Sequence, residues 1–127
     1  CHCLVGSEMC IRDSSSSNLF QKAVLEMRYL NRYFKGKDET ILGLAGVGDL
    51  YVSAAGGRNS KMGGFLGKGF TFKTAKKRFM PKETVEGEEL AREISPFILR
   101  KIDEKKIPLM INLLKTIKEN KKLRIKV

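Results

Sequence analysis

The sequence predicts an all-α fold of several short helices around one or two longer ones. Apolar residues recur at helical spacing over long stretches, no stretch alternates as a strand does, and glycine-rich segments separate the helical stretches. With 127 residues, of which 42% are hydrophobic, the chain has the size of one domain or part of one, with enough apolar side chains for a core. Its longest apolar runs are shorter than a membrane span.

A long amphipathic helix is predicted between Leu19 and Phe34. Gly36 follows as a C-terminal stop, because glycine readily adopts the left-handed conformation that ends many helices. The apolar residues of this helix fall on one face, which we expect to be buried. They are Leu19, Phe20, Ala23, Val24, Met27, Leu30 and Phe34.

The middle of the chain is rich in glycine and predicts short helices. Asp38 is expected to cap a helix of residues 39–44, and Asp49 to cap a helix that runs through Ala54. The glycines of the segment between them are expected to break the first helix and to allow a tight turn.

The second half predicts the remaining helices, over residues 58–66, 72–80, 82–102 and from Pro108 onwards. Thr71 is expected to cap the second of these. Pro96 is expected to kink or divide the third, because proline removes a backbone donor, and Pro108 suits the first turn of the last. The expected buried face of the third helix carries Val85, Leu90, Ala91, Ile94, Phe97, Ile98 and Ile102.

The N-terminal residues differ in character from the rest. All three cysteines and the only histidine lie within the first ten residues, but no second pair of ligands follows, which argues against a structural zinc site. The segment CLVGSEMCIRDS, residues 3–14, instead resembles a translated sequencing-adaptor sequence. We therefore expect residues 1–17 to be adaptor-derived or disordered, residues 18–127 to form the helical domain, and no metal to be bound.

The formal net charge of +11 favours anionic partners, although a solvated lysine-rich surface explains it equally well. A basic helical module that binds nucleic acid is therefore an alternative function. Against it, aromatic residues are not interleaved with the basic C-terminal cluster, and no DNA-binding motif is visible. Neither nucleic acid nor a membrane is expected as a partner.

One short segment, GDLYVSAAGGRN, combines groups that suit a small phosphorylated polyol. Arg58 and Asn59 lie at a predicted helix N-terminus, where free N–H groups and the helix dipole favour an anion. The arginine adds a planar fork that holds phosphate with two hydrogen bonds. Asp49 and Asn59 are suited to bind hydroxyl groups. The residues alone fit equally well a structural role, with Asp49 as a helix cap and Arg58 in a surface ion pair.

The longer stretch GLAGVGDLYVSAAGGRN, Gly43–Asn59, resembles the signature of bacterial NAD(P)-dependent glycerol-3-phosphate dehydrogenases. The segments AVLEM before it and TVEG after it, and Ile107-Pro108-Leu109 at the last helix, fit the same family. The resemblance covers about Leu19 to Leu123. It implies the all-α, multi-helix C-terminal substrate-binding domain of the 6-phosphogluconate-dehydrogenase-like type, truncated at its N-terminal side.

In such an enzyme, hydride passes between NAD or NADP and C2 of glycerol 3-phosphate, giving dihydroxyacetone phosphate. The resemblance implies that Asp49, Arg58 and Asn59 bind the substrate and that Arg58 and Glu86 contact the cofactor. It implies a cytoplasmic homodimer. The Rossmann domain, which binds most of the cofactor, and the catalytic lysine are expected to lie upstream of this chain. No residue of this chain is therefore expected to be catalytic, and the chain alone is expected to be inactive.

Overall fold

A computed structural model describes the backbone of residues 8–125 and the side chains of residues 16–125. All regular structure in this range is helical, which confirms the all-α prediction. None of the described helices combines the length and apolar character needed to cross a bilayer. The elements are α1 (Glu8–Tyr33), α2 (Asp38–Leu42), a π-helical turn (Leu44–Gly48), α3 (Asp49–Ala55), α4 (Arg58–Gly67), α5 (Phe72–Phe79), α6 (Glu86–Lys101) and α7 (Pro108–Lys118).

The hydrophobic core lies among α4, α5, α6 and α7 and the loops that join them. α6 packs along α7, and α4 packs against both α5 and α6. Met80, Ile107 and Leu114 are fully enclosed at its centre. The buried core residues are Met62, Leu66, Phe72, Ala75, Met80, Val85, Ala91, Ile98, Ile102, Ile107, Ile111, Leu114 and Ile117.

Helix α1 lies outside this core, against α7, α2 and the π-helical turn. Its predicted apolar face is therefore only half-buried, and Phe34, just beyond the helix end, is 61% exposed. The expectation of a fully buried face is wrong for this reason. Phe34 instead stacks on Phe97 of α6, with 5.9 Å between the ring centroids. Phe97 and Leu90, also predicted to be buried, are partly exposed because the core takes up the other side of α6.

Helix α1 ends in a turn at Lys35 and Gly36. Lys35 adopts the left-handed conformation, with a φ of 62°. The N–H groups of Lys35 and Gly36 donate to the carbonyls of Arg32 and Asn31, which satisfies the end of the helix. A Cβ atom on Gly36 would lie 2.1 Å from Oδ1 of Asn31, so a side chain there would displace the Asn31 amide, whose Nδ2 donates to the carbonyl of Lys37.

The glycine-rich segment forms a π-helical turn and not the tight turn expected from its sequence. The N–H of Gly48 donates to the carbonyl of Gly43, five residues earlier, at 3.2 Å. The turn runs directly into α3, and Asp49 has helical angles (φ −63°, ψ −42°). Asp49 is therefore the first residue of α3 and does not cap it. Gly46 is buried against α2, where a Cβ atom would lie 2.0 Å from the carbonyl oxygen of Ile41.

The other predicted caps and breaks have mixed outcomes. Thr71 caps α5, since its hydroxyl accepts from the N–H of Thr74 at 3.4 Å. Asp38 does not cap α2, because it is the first residue of that helix and its carboxylate pairs with Arg32. Pro96 lies inside α6 without dividing it.

The N-terminus of α7 is held by a carboxylate from α1. Pro108 occupies the first turn, as predicted. The buried carboxylate of Glu26 accepts from the N–H of Leu109 at 2.6 Å and from that of Met110 at 2.9 Å. These two groups would otherwise lack partners, because a helix cannot satisfy its first N–H groups itself. Glu26 thereby fixes α1 to the core.

The side chains of the cysteines and the histidine near the N-terminus lie outside the described residues. That no zinc is bound there therefore stays a prediction. The α1 backbone runs without a break from Glu8 through the serine run. The proposed origin of residues 1–17 stays a prediction as well.

Candidate functional site

The predicted anion-binding residues lie where the N-termini of two helices meet. Gly57 precedes α4 and has a φ of 103°, a conformation that favours glycine. This turn starts α4 at Arg58 and Asn59, beside the first residues of α6, Glu86 and Gly87. Both helix ends carry N–H groups that a helix cannot pair internally and the positive end of a dipole, which favours an anion near them.

Arg58 forms an ion pair with Glu86, with 2.9 Å between Nη2 and Oε1. The two side chains are 49% and 72% exposed. An exposed pair of this kind contributes at most about 1 kcal/mol to stability, because water screens both charges. The pair thus holds the guanidinium where the first turns of α4 and α6 meet and leaves most of its donors accessible. We refer to this place, formed by Arg58, Asn59, Glu86 and Gly87, as the corner.

Asn59 is fixed by the backbone of α6. Its Oδ1 accepts from the N–H of Gly87 at 3.0 Å, across 28 residues of sequence. Because an N–H can only donate, the amide oxygen must face Gly87, and the Nδ2 group points elsewhere. Asn59 therefore satisfies one of the free N–H groups of α6 and keeps two donors for a ligand.

A third link lies beside these two and was missed in the sequence. Lys61 Nζ lies 2.7 Å from Oε1 of Glu83, in the loop before α6. No spacing rule relates two residues 22 positions apart, so only the packing of α4 beside α6 shows the pair. The first turn of α4 is thus tied to residues 83–87 at three points.

Asp49 is not brought into contact with this corner. It begins α3 and is exposed. Its backbone N–H donates to the carbonyls of Gly46 and Leu44, but its side chain has no hydrogen bond or ion pair within the residues that the structure describes. Helices α3 and α4 are joined by the hydroxyl of Ser60, which donates to the carbonyl of Ala54 at 3.2 Å. The structure therefore gathers Arg58, Asn59 and Glu86 and leaves Asp49 at the start of the preceding short helix, α3.

The side chains of Arg58 and Glu86 at the corner are exposed. Cavities of about 800, 470 and 450 Å³ lie elsewhere in the described part, and none is lined by a predicted site residue. The largest lies between α7, the C-terminal tail and Thr71 before α5.

Comparison with known families identifies the domain. Residues 4–127 match the family model described as the NAD-dependent glycerol-3-phosphate dehydrogenase C-terminus. The chain belongs to this family. Membership in the glycerol-3-phosphate dehydrogenases agrees with the all-α fold and does not favour the alternative of a nucleic-acid-binding module.

Several curated glycerol-3-phosphate dehydrogenases are similar to the chain. The NAD(P)+ enzyme of Campylobacter lari is 33% identical over 63 residues, which cover 48% of this chain and 21% of that protein. The NAD(+) enzyme 1 of Yarrowia lipolytica is 31% identical over 104 residues, covering 76% and 26%. The NADP(+)-dependent enzyme of Archaeoglobus fulgidus is 43% identical over 54 residues, covering 42% and 16%.

The chain spans about a quarter or less of the length of these dehydrogenases. No solved structure matches the chain. The family match begins at residue 4 and so includes most of the adaptor-like segment.

Proposed function

We propose that this chain supplies the substrate- and phosphate-binding half of the active site of a glycerol-3-phosphate dehydrogenase. The whole enzyme would interconvert sn-glycerol 3-phosphate and dihydroxyacetone phosphate with NAD or NADP, as a cytoplasmic homodimer. The observation that carries the proposal is the corner where the first turns of α4 and α6 present Arg58 and Asn59 beside two helix N-termini.

Arg58 is the residue that binds the substrate phosphate. Its guanidinium is half exposed and uses one nitrogen for Glu86, so a pair of donors stays available for a bidentate contact. The Nδ2 group of Asn59 supplies a neutral donor to a hydroxyl or phosphate oxygen. Because the amide oxygen is held by Gly87, this donor is oriented before the ligand arrives.

Asp49 completes the substrate contacts from the start of α3. Its exposed carboxylate can accept hydrogen bonds from the glycerol hydroxyls and orient the catalytic lysine of the preceding domain. The phosphate and the hydroxyls would thus contact different helices, with the phosphate at α4 and the polyol towards α3.

Cofactor contact from this chain is confined to the Arg58–Glu86 pair. The described residues contain no strand, hence no strand–helix unit for dinucleotide binding. An exposed guanidinium and an exposed carboxylate are nevertheless groups that suit a phosphate and a ribose hydroxyl, so the pair fits the edge of NAD or NADP. When bound, the nicotinamide supplies or accepts the hydride.

A chimera tests this function. Residues 19–127 are joined to the N-terminal domain of the Campylobacter lari relative, and oxidation of glycerol 3-phosphate is followed by reduction of NAD or NADP. Arg58→Ala should lower kcat/KM by roughly tenfold to a hundredfold, because a charge-assisted hydrogen bond is lost. The matched control, Arg100→Ala, removes an exposed arginine from the far end of α6 and should leave kcat/KM unchanged. A folded chimera that binds cofactor but does not oxidise the substrate would contradict the proposal.

A further inference from the structure

The net charge of the chain is concentrated in two short segments. Residues 68–79 carry five lysines and arginines and no acidic residue. Residues 115–126 carry six and a single glutamate. The two segments together hold a net charge of +10, and the rest of the chain holds +1.

The fold joins these two segments, although more than thirty residues separate them in sequence. Asn120, just after α7, adopts a left-handed conformation with a φ of 50°. Its Oδ1 accepts from the N–H of Lys73 in the first turn of α5, at 3.0 Å. Thr71, which caps α5, lines the same 800 Å³ cleft as Lys121 and Lys122. We refer to the surface formed by residues 68–79 and 115–125 as the basic end.

Most of the cations at the basic end are exposed and have no acidic partner in the part of the chain that the structure describes. Lys121 pairs with Glu119 at 2.6 Å, and Lys115 with Glu104 at 3.3 Å. Among the described residues, no ion pair neutralises the remaining ones. The exposed lysines without such a pair are Lys68, Lys73, Lys77, Lys118 and Lys122.

The side chains of the basic end do not suit the recognition of nucleic-acid bases. The guanidinium of Arg78 lies over the rings of Phe70 and Phe79, at 5.5 and 5.1 Å from their centroids. These rings and Phe65 pack against one another and are partly buried, so they are not presented to stack on bases. Exposed lysines and Arg124 remain among the described residues, and the lysines act as point charges without the planar fork of arginine.

Binding to a plane of anionic lipid headgroups requires no more than such point charges. Clusters of four to eight lysines and arginines bind anionic lipid surfaces, and each contributes roughly a fivefold gain in affinity. The apolar side of α5 is buried in the core through Phe72 and Ala75, so attachment would be electrostatic and without insertion. This mode of contact does not depend on any membrane-spanning segment.

We propose that the basic end binds the surface of a membrane that carries anionic lipids. The sequence alone gave no reason to expect a membrane partner, because it shows neither a spanning segment nor that the two basic segments meet. This attachment is separate from the Arg58–Asn59 corner and does not depend on the proposed dehydrogenase activity.

Co-sedimentation of the 127-residue chain with vesicles tests the proposal. Vesicles of phosphatidylcholine alone are compared with vesicles of phosphatidylcholine and phosphatidylglycerol in equal amounts, at physiological salt. At this ionic strength charges further than about 8 Å from the surface are screened, so the assay reports the contacting lysines and not the net charge. We expect binding to the anionic vesicles alone and its loss at high salt.

A quadruple variant and a matched control test whether the basic end is the surface that binds the vesicles. Changing Lys73, Lys77, Lys118 and Lys122 to glutamine should weaken binding about a hundredfold or more. The control changes Lys35, Lys37, Arg100 and Lys101 to glutamine, which removes the same charge from exposed positions outside the basic end, and it should bind within about threefold of the wild type. Circular dichroism of both variants confirms that they fold.

Three results would overturn the proposal. The first is no binding of the wild-type chain to anionic vesicles. The second is equal losses in the two quadruple variants, which would assign binding to net charge alone. The third is binding to double-stranded DNA of mixed sequence that is tighter than binding to the vesicles and is lost in the same lysine variant, which would assign the basic end to nucleic acid.

Discussion

The amide oxygen of Asn59 and the N–H of Gly87 join the first turns of α4 and α6 with a hydrogen bond of 3.0 Å. The two residues approach so closely that a Cβ atom on Gly87 would lie 3.0 Å from Oδ1 and 3.3 Å from Cγ of Asn59. A glycine near the start of a helix is usually a cost, because it adds backbone entropy to the unfolded state. Here its absent side chain allows the contact that orients Asn59.

Gly87→Ala should therefore fail to stabilise the protein. The gain of about 0.5–1 kcal/mol that alanine brings within a helix is offset by loss of the Asn59 hydrogen bond, at about 0.5–1.5 kcal/mol. Gly63→Ala is the matched control, since a Cβ atom there in α4 meets nothing within 4 Å. Urea unfolding should show Gly63→Ala to be more stable than Gly87→Ala by about 1 kcal/mol. Equal gains in both variants would show that the contact is not tight.

Removal of the Glu26 carboxylate should destabilise the fold. Glu26→Ala leaves the N–H groups of Leu109 and Met110 without their acceptors in a half-buried setting. We expect a loss of about 2–3 kcal/mol in the free energy of unfolding, with a smaller loss for Glu26→Gln, which keeps one acceptor. Glu93→Ala, at an exposed position of α6, should change stability by no more than about 0.5 kcal/mol. A loss no larger than that of Glu93→Ala would refute the capping role.

Gly46→Ala should distort the π-helical turn. The added Cβ atom would meet the backbone of α2, with Cα of Ile41 at 2.5 Å as well as its carbonyl oxygen, and a backbone cannot rotate away as a side chain does. We expect a loss of about 1–3 kcal/mol in urea unfolding. Because the turn runs directly into α3, the NMR signals of Asp49 should shift as well. Gly64→Ala, where a Cβ atom has open space, serves as the control.

The Arg32–Asp38 pair should contribute to the free energy of unfolding near neutral pH and lose this contribution in acid. The hydrogen bond from Arg32 lowers the pKa of Asp38 below its ordinary value of 3.8. A lowered folded-state pKa contributes stability above the unfolded pKa, and this contribution is lost as the pH falls through the folded one. The difference in unfolding free energy between the wild type and Asp38→Asn should thus be constant near neutral pH and vanish in strong acid. A difference that grows towards acid would contradict this sign.

Much of the helical pattern could be predicted from the sequence because its signals are local. The Thr71 cap and Pro108 in the first turn of α7 act within a few residues of their own position. The failures concern contacts between distant elements. The helical spacing of apolar residues predicts that Phe34 is buried, but α1 packs beside the core and leaves Phe34 exposed.

The candidate site shows the same division. Arg58 and Asn59 could be proposed from their place at a helix start, and Glu86 from family resemblance. Their mutual contacts depend on α4 meeting α6, which no local pattern encodes. The Lys61–Glu83 and Asn120–Lys73 contacts went unpredicted for the same reason.

Titration of the ¹⁵N-labelled chain with glycerol 3-phosphate tests most directly whether the α4–α6 corner binds substrate. The backbone amide signals of Arg58, Asn59 and Gly87 should shift together, glycerol should produce no such shifts, and Arg58→Ala should weaken binding by roughly tenfold or more, whereas Arg100→Ala should not. Shifts confined to the basic end, or an affinity that Arg58→Ala leaves unchanged, would contradict the assignment of the corner as the substrate site.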